Sequence, residues 1–255
     1  MIDMHTHILF GVDDGPEKLS GSIEMLRQAE EEGITGIIAT SHACHPQFHV
    51  GAESVYDGVD QLREAARAEG LNIQLHTGHE IRLNGNLPER LDAGDVLTLA
   101  GSKYVMLELP SQGVPDYTVG VIQNLMNRGL IPVIAHPERN KAIVEKPQRL
   151  YRLVNHGALA QVTAGAVCGT FGSRIKDAAL TLIDSHLVHF YGSDAHNTDK
   201  RGFHFDEGLS YLEKKGRADM VDIMLENNAR ILEKRDPVLL EPEDPKGKKK
   251  WFIFG

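Results

Sequence analysis

Ile2-Asp3-Met4-His5-Thr6-His7 reads as the start of a β-strand, residues 2–9, that ends in metal-ligand chemistry. Side chains alternate faces along a strand, so Asp3, His5 and His7 share one side and two imidazoles can close on one cation. Further runs repeat the plan at 36–42, 72–81, 104–109, 131–136, 159–163 and 187–192. Each is short and aliphatic and ends in a histidine, a carboxylate or a small polar turn. Between them apolar residues recur at helical spacing: Leu19, Ile23 and Leu26; Val55, Val59 and Leu62; Val121 and Leu125; Leu150, Leu153 and Val154; Ile175, Ala179, Leu182 and Ile183. Strand-helix alternation of this kind builds a parallel sheet, and seven units predict an α/β fold closed into a distorted (β/α)7 TIM-like barrel. An open doubly wound sheet is the alternative.

The 255 residues suffice for one barrel-sized domain, expected over 1–235 and followed by a Pro/Lys-rich C-terminal tail over 236–255. That tail runs from Asp236-Pro237 through Glu241-Pro242 to Lys248-Lys249-Lys250-Trp251, a proline-punctuated linker with a basic, aromatic end. A net charge of −9 argues against nucleic acid as a partner, because phosphate backbones call for a basic face. Cys44 and Cys168 are too few for a disulfide framework, no leader precedes the first strand, and no apolar run is long enough for membrane insertion. A cytoplasmic protein is expected, and its oligomeric state is left open.

Chemistry gathers where a barrel would assemble it. The strand ends offer His5, His7, His42, Glu80, Glu108, His136, Asp194 and His196, and the loop Gly11-Val12-Asp13-Asp14-Gly15 can swing Asp14 over the same mouth. A single histidine at a strand end is ordinarily a hydrogen-bonded structural residue. Four carboxylates at one barrel mouth are different, since unpaired buried charge costs several kcal/mol and cations relieve it. These five histidines and four carboxylates exceed the needs of one ion, and bridging carboxylates would share them among two or three. Imidazole mixed with carboxylate, without thiolate, favours Mn2+, with Fe2+ or catalytic Zn2+ as alternatives.

Taken together, His5-Thr6-His7, Asp13-Asp14-Gly15, His42, Glu80, Glu108, His136-Pro137-Glu138-Arg139 and Ser193-Asp194-Ala195-His196-Asn197 resemble the motifs of the PHP (polymerase and histidinol phosphatase) superfamily. Within it the chain is similar to the manganese-dependent protein-tyrosine phosphatases of Gram-positive capsule and exopolysaccharide loci, over nearly its whole length to Glu233. The resemblance implies a PHP-fold barrel, a three-metal centre and, as substrate and partner, a phosphorylated bacterial tyrosine kinase with a tyrosine-rich tail. It implies His5, His7, Asp14, His42, Glu80, Glu108, His136, Asp194 and His196 as ligands. Arg139 and Arg201 would hold the phosphate, and the protein would be peripheral at the membrane through its kinase partner. The chain departs from the family at Thr40-Ser41-His42-Ala43, where Thr-Pro-His-His is common.

On those roles, bridging metals would lower the pKa of a bound water to about 7 and give a hydroxide for in-line attack on phosphorus. Arg139 and Arg201 would clamp the nonbridging oxygens through their planar forks of donors. A competing chemistry is also written here. Cys168-Gly169-Thr170-Phe171-Gly172-Ser173-Arg174 has the cysteine, five residues, arginine spacing of thiol-dependent phosphatases. No histidine precedes the cysteine and no hydroxyl residue follows the arginine, so it reads as coincidence. His79 is expected to point away from Glu80, Asp3 to orient a ligand imidazole from behind, and His45, His49 and His204 to face substrate from loops. A small-molecule phosphatase acting on an ester such as histidinol phosphate, and a noncatalytic kinase-binding regulator, are the other readings. An amide hydrolase is disfavoured because no strand end supplies a bridging lysine.

Overall fold

The computed structural model describes residues 1–245, so the basic, aromatic end of the expected tail lies outside the described residues. Seven strands appear where the periodicity placed them: β1 (Ile2–Thr6), β2 (Gly36–Ala43), β3 (Gln74–Arg82), β4 (Tyr104–Glu108), β5 (Ile131–Ala135), β6 (Leu159–Thr163) and β7 (Phe190–Gly192). Their spatial order is their chain order, and each pairs in parallel with the next. The sheet then curls until Thr6 bridges Ala195 in parallel, just beyond β7. That bridge excludes the open sheet. The connecting helices pack outside by the expected stripes; Leu19–Glu31, for example, buries Ile23, Met25, Leu26 and Ala29.

Alternation within each strand explains where the site must lie. Tyr104 and Met106 of β4, Val133 and Ala135 of β5, Leu159 of β6 and Phe190 of β7 form one buried apolar cluster with Met4, Ile38 and Leu99. Ile231 from the helix Ala218–Leu232 joins the same cluster. Two residues further along the same faces come Thr40 and then His42, Glu108, Gln161 and Thr163. Apolar side chains thus plug the N-terminal half of the barrel, and polar ones occupy its C-terminal mouth.

Two expectations shift in detail. β1 carries a bulge: Asp3 lies opposite Ile37 but Thr6 opposite Ala39, one residue more on β1 than on β2. The extra residue breaks strict alternation and places Met4 in the barrel plug. β7 is only three residues long. The reason lies in His189, whose Nδ1 accepts the Ala160 N–H at 3.1 Å and so takes a donor that a longer β7 would have used.

The seam between β1 and β7 is closed partly by a side chain. Asn228, fully buried, donates from Nδ2 to the Ile2 carbonyl at 2.9 Å and to the Tyr191 carbonyl at 2.6 Å. Asn228→Ala leaves buried carbonyls without a donor and is expected to lower stability by about 2–3 kcal/mol. Urea unfolding should show a lower midpoint at unchanged slope; a loss under about 0.5 kcal/mol would remove Asn228 from the seam.

Candidate metal centre

All nine candidate ligands converge at the barrel mouth. Three groups have their donor atoms within 4.8 Å of one another: His7, Asp14, His42 and His196; His5, His7, Glu80 and Asp194; and His42, Glu80 and Glu108. His136 joins them through Glu80, with Nε2 2.6 Å from Oε1. The chain reaches this arrangement through uncommon backbone. His136 and Asp194 both adopt left-handed conformations, φ 31° and 55°, which turn each side chain back across the mouth at the end of its strand. The loop carrying Asp14 folds so tightly onto β1 that a Cβ on Gly15 would lie 2.4 Å from the His7 carbonyl oxygen.

Asp194, Asp14 and Glu108 each divide their two oxygens between the cluster and an arginine, whereas Glu80 gives both to cluster histidines. Asp194 turns Oδ1 to His5 Nε2 and His7 Nε2, at 3.3 and 3.4 Å, while Oδ2 accepts from Arg139 and Arg201. Asp14 turns Oδ1 to His196 Nε2 at 3.1 Å and Oδ2 to Arg201 at 2.9 Å. Glu80 gives Oε1 to His136 and faces His42 Nδ1 with Oε2 at 3.2 Å. Glu108 gives Oε1 to Arg82 at 2.8 Å.

The imidazoles are held in the tautomer a cation needs. His5 Nδ1 donates to Gln161 Oε1 at 3.0 Å, His7 Nδ1 to Asp13 Oδ2 at 2.9 Å and His196 Nδ1 to the Asp194 carbonyl at 2.8 Å. In each ring Nε2 is left to the cluster. His5 Nε2, His7 Nε2, His42 Nδ1, His196 Nε2, Glu80 Oε2 and Glu108 Oε2 are all buried without a hydrogen-bond partner. Buried polar atoms are almost always paired, so six orphans facing one another mark a donor set shaped for divalent cations.

Electrostatics agrees. Burial alone would raise the Asp194 carboxyl, yet Arg139, His5 and His196 hold it well below the usual carboxylate range. Glu80 is likewise held low against burial, by His5 and His136. Glu108 goes the other way, pushed up by burial and by the charge of Glu80. Burial also opposes charge on Asp13, but His7 and the N–H groups of Gly15 and His42 bring its carboxyl down to about 2.

Asp13 and Gln161 were not singled out by sequence. Asp13 supports two candidate ligands at once, accepting from His7 Nδ1 and from the His42 N–H. Gln161 stands as the one amide in a fully buried strand, which is the signal that could have revealed it. It performs the task expected of Asp3. That carboxylate accepts from the Ser193 N–H and hydroxyl and from the Thr6 hydroxyl, and so ties β1 to the segment after β7 without touching the His5 ring.

Of the loop histidines, His45 stacks on His42 with centroids 4.6 Å apart, His204 pairs with Glu207 and begins the helix Phe205–Lys214, and His49 is exposed. His79 turns from Glu80 as expected and accepts from the Leu97 N–H. Cys168 ends the helix Ala164–Cys168, with its thiol directed at the His204 carbonyl. Burial and the nearby Glu207 push that thiol up to about 12, the reverse of a thiolate nucleophile.

The sequence and the fold have counterparts among known proteins. The profile of the family described as "Capsular polysaccharide synthesis, CpsB/CapC" matches residues 1–233. The chain belongs to the CpsB/CapC family. It is 39% identical over 254 residues to the tyrosine-protein phosphatase YwqE of Bacillus subtilis, covering 100% of both chains. It is 29% identical over 238 residues to the tyrosine-protein phosphatase CpsB of Streptococcus pneumoniae, covering 91% of this chain and 98% of that one. A solved chain, from crystal structures of YwqE and CpsB described as metal-dependent tyrosine phosphatases, superposes with a TM-score of 0.94 at 38% identity, covering 96% of this chain and 99% of the other. A lactonase from Listeria monocytogenes shares the barrel alone, at 10% identity and a TM-score of 0.54 over 92% of this chain and 95% of that one.

Because Asp13 fixes the His7 ring from behind, Asp13→Ala is expected to weaken divalent-metal affinity about 10- to 100-fold while the barrel stays folded. Metal titration followed by calorimetry, with far-UV circular dichroism as the folding control, measures this directly.

Proposed function

We propose that the chain is a metal-dependent tyrosine-protein phosphatase of capsular polysaccharide synthesis, acting on phosphotyrosine carried by a bacterial tyrosine kinase. The observation that carries this reading is the set of six buried, unpartnered donor atoms lying beside two arginines at one barrel mouth. The protein would work in the cytoplasm and meet the membrane through the kinase. No helix among the described residues is long and apolar enough to cross a bilayer.

His5, His7, Asp14, His42, Glu80, Glu108, His136, Asp194 and His196 would hold two or three Mn2+ ions. Divalent ions bound there supply Lewis acidity and a water made acidic near neutral pH. Arg139 and Arg201 both reach Asp194 Oδ2, so their guanidinium groups are already neighbours. A phosphoryl group entering the mouth would meet this pair of planar forks, which match its oxygens and offset the charge that spreads over them in the transition state. Phe171 lies 5.0 Å beneath the Arg139 guanidinium and limits where that head can swing. The tyrosine leaving group has a conjugate-acid pKa of about 10 and needs little protonation on departure.

Hydrolysis of a phosphotyrosine peptide should be lost to EDTA and restored by Mn2+. Activity that survives EDTA would overturn the metal-dependent reading, and faster turnover of a small ester such as histidinol phosphate would redirect the substrate assignment. Cys168→Ser should retain full activity. Arg139→Ala and Arg201→Ala should each lower kcat/KM by about 10²–10³ with metal content unchanged, by analogy with removal of one charge-stabilising donor.

A further inference from the structure

The loop that leaves β2 carries aromatic rings that the apolar core does not use. Phe48 is half-buried yet packs on neither apolar cluster, and the rings beside it are the imidazoles of His42 and His45. Centroids lie 4.6 Å apart for His42 and His45, 5.6 Å for His42 and Phe48 and 5.5 Å for His45 and Phe48, with every pair of planes within 23°. Phe171 shows the contrast: it packs against the main core beneath Arg139. Phe48 adds nothing to the core and puts a phenyl ring beside a candidate ligand at the barrel mouth.

The loop is tied down at both ends. Cys44 turns it in the left-handed region, φ 58°, the Gln47 N–H donates to His45 Nδ1 at 3.2 Å, and the Val50 N–H donates to the His42 carbonyl at 3.2 Å. Residues 43–49 are thus a closed excursion that starts and ends at His42, with buried Val50 at its foot. Rings fixed in this way have little freedom left to lose when a ligand stacks on them.

His42 links these rings to the side of the mouth where phosphate would be held. Its Nε2 lies 3.5 Å from Asp14 Oδ1, and Asp14 Oδ2 accepts from Arg201 at 2.9 Å. A phosphoryl group that meets Arg201 is therefore one carboxylate away from the stack.

We propose that Phe48, backed by His45, is the wall on which the ring of an aryl phosphate stacks, and that it selects phosphotyrosine over alkyl esters such as phosphoserine. The inference rests on the phosphatase reading above. Aromatic rings stack offset and near-parallel with centroids about 4.5–7 Å apart, the spacing these three already keep. A tyrosyl ring is bonded directly to the ester oxygen and can continue the stack. A seryl ester has one methylene at that point and no face to offer.

The test uses the full-length protein loaded with Mn2+ and two probes of nearly equal size, benzylphosphonate and cyclohexylmethylphosphonate, of which only the first has a π face. Calorimetry should show the parent protein binding benzylphosphonate about threefold or more tighter than its saturated counterpart. Phe48→Leu keeps an apolar side chain without the ring. It should weaken benzylphosphonate about 3- to 10-fold, remove the preference between the probes and raise KM for a phosphotyrosine peptide by the same factor. Phe48→Tyr, which keeps the ring, should restore the preference. Metal per chain, read by mass spectrometry, should be the same in all three proteins.

A Phe48→Leu protein that retains the preference, or weakens for both probes equally, overturns the proposal. One that loses metal also overturns it, because Phe48 then serves the His42 ligand and not the substrate. A parent protein that hydrolyses the phosphotyrosine peptide but shows no preference between the probes overturns this inference alone. A parent that hydrolyses no phosphotyrosine peptide overturns the phosphatase reading, and this inference with it. Circular dichroism of each variant separates these outcomes from misfolding.

Discussion

Closure of the barrel between its first and last strands is the constraint on which the remaining structure depends. The Asp194 N–H donates to the His5 carbonyl at 2.8 Å and the His7 N–H to the Ala195 carbonyl at 2.9 Å. These backbone bonds join the first strand to the segment that follows the last. The same bonds carry His5, His7, Asp194 and His196 to one point, so closing the sheet and assembling the donor set are a single event. Asn228 at the lower seam and Asp3 at the upper one supply donors and acceptors where the strands have no ladder of their own.

Such a site sets stability against function. Imidazoles and carboxylates are held in a desolvated mouth with six donor atoms unsatisfied by protein, an arrangement whose cost the apolar plug beneath must offset. The arginines reduce that cost by taking the second oxygen of Asp14, Asp194 and Glu108. Each carboxylate is thereby fixed in orientation before any cation arrives. The outward pairings also differ in kind: Arg139 and Arg201 converge on one carboxylate at the open mouth, whereas Arg82 pairs with Glu108 at the ends of β3 and β4.

Much of the candidate site was legible because strand periodicity and ligand chemistry coincide. A histidine or carboxylate at the C-terminal end of a strand must reach the barrel mouth whatever the neighbouring strands do, so His42, Glu80, Glu108 and His136 needed only their own strands to be placed. The supporting residues were hidden because their partners are remote. Gln161 reaches His5 across 156 positions, and Asn228 reaches Ile2 across 226. Asp3 misled for a local reason: the bulge in β1 breaks the alternation that would have set it behind His5.

By itself the sequence determined the alternation of seven strands with helices, the polar ends of those strands and the donor types gathered there, because each is a property of a short segment and its period. Only the tertiary structure decided that the sheet closes and which carboxylate oxygen faces the cluster. It also decided which group holds each imidazole, and that Cys168 lies in a setting that keeps its thiol protonated. Those outcomes rest on contacts between segments far apart in the chain, where register, burial and the sign of the nearest charge are set by packing.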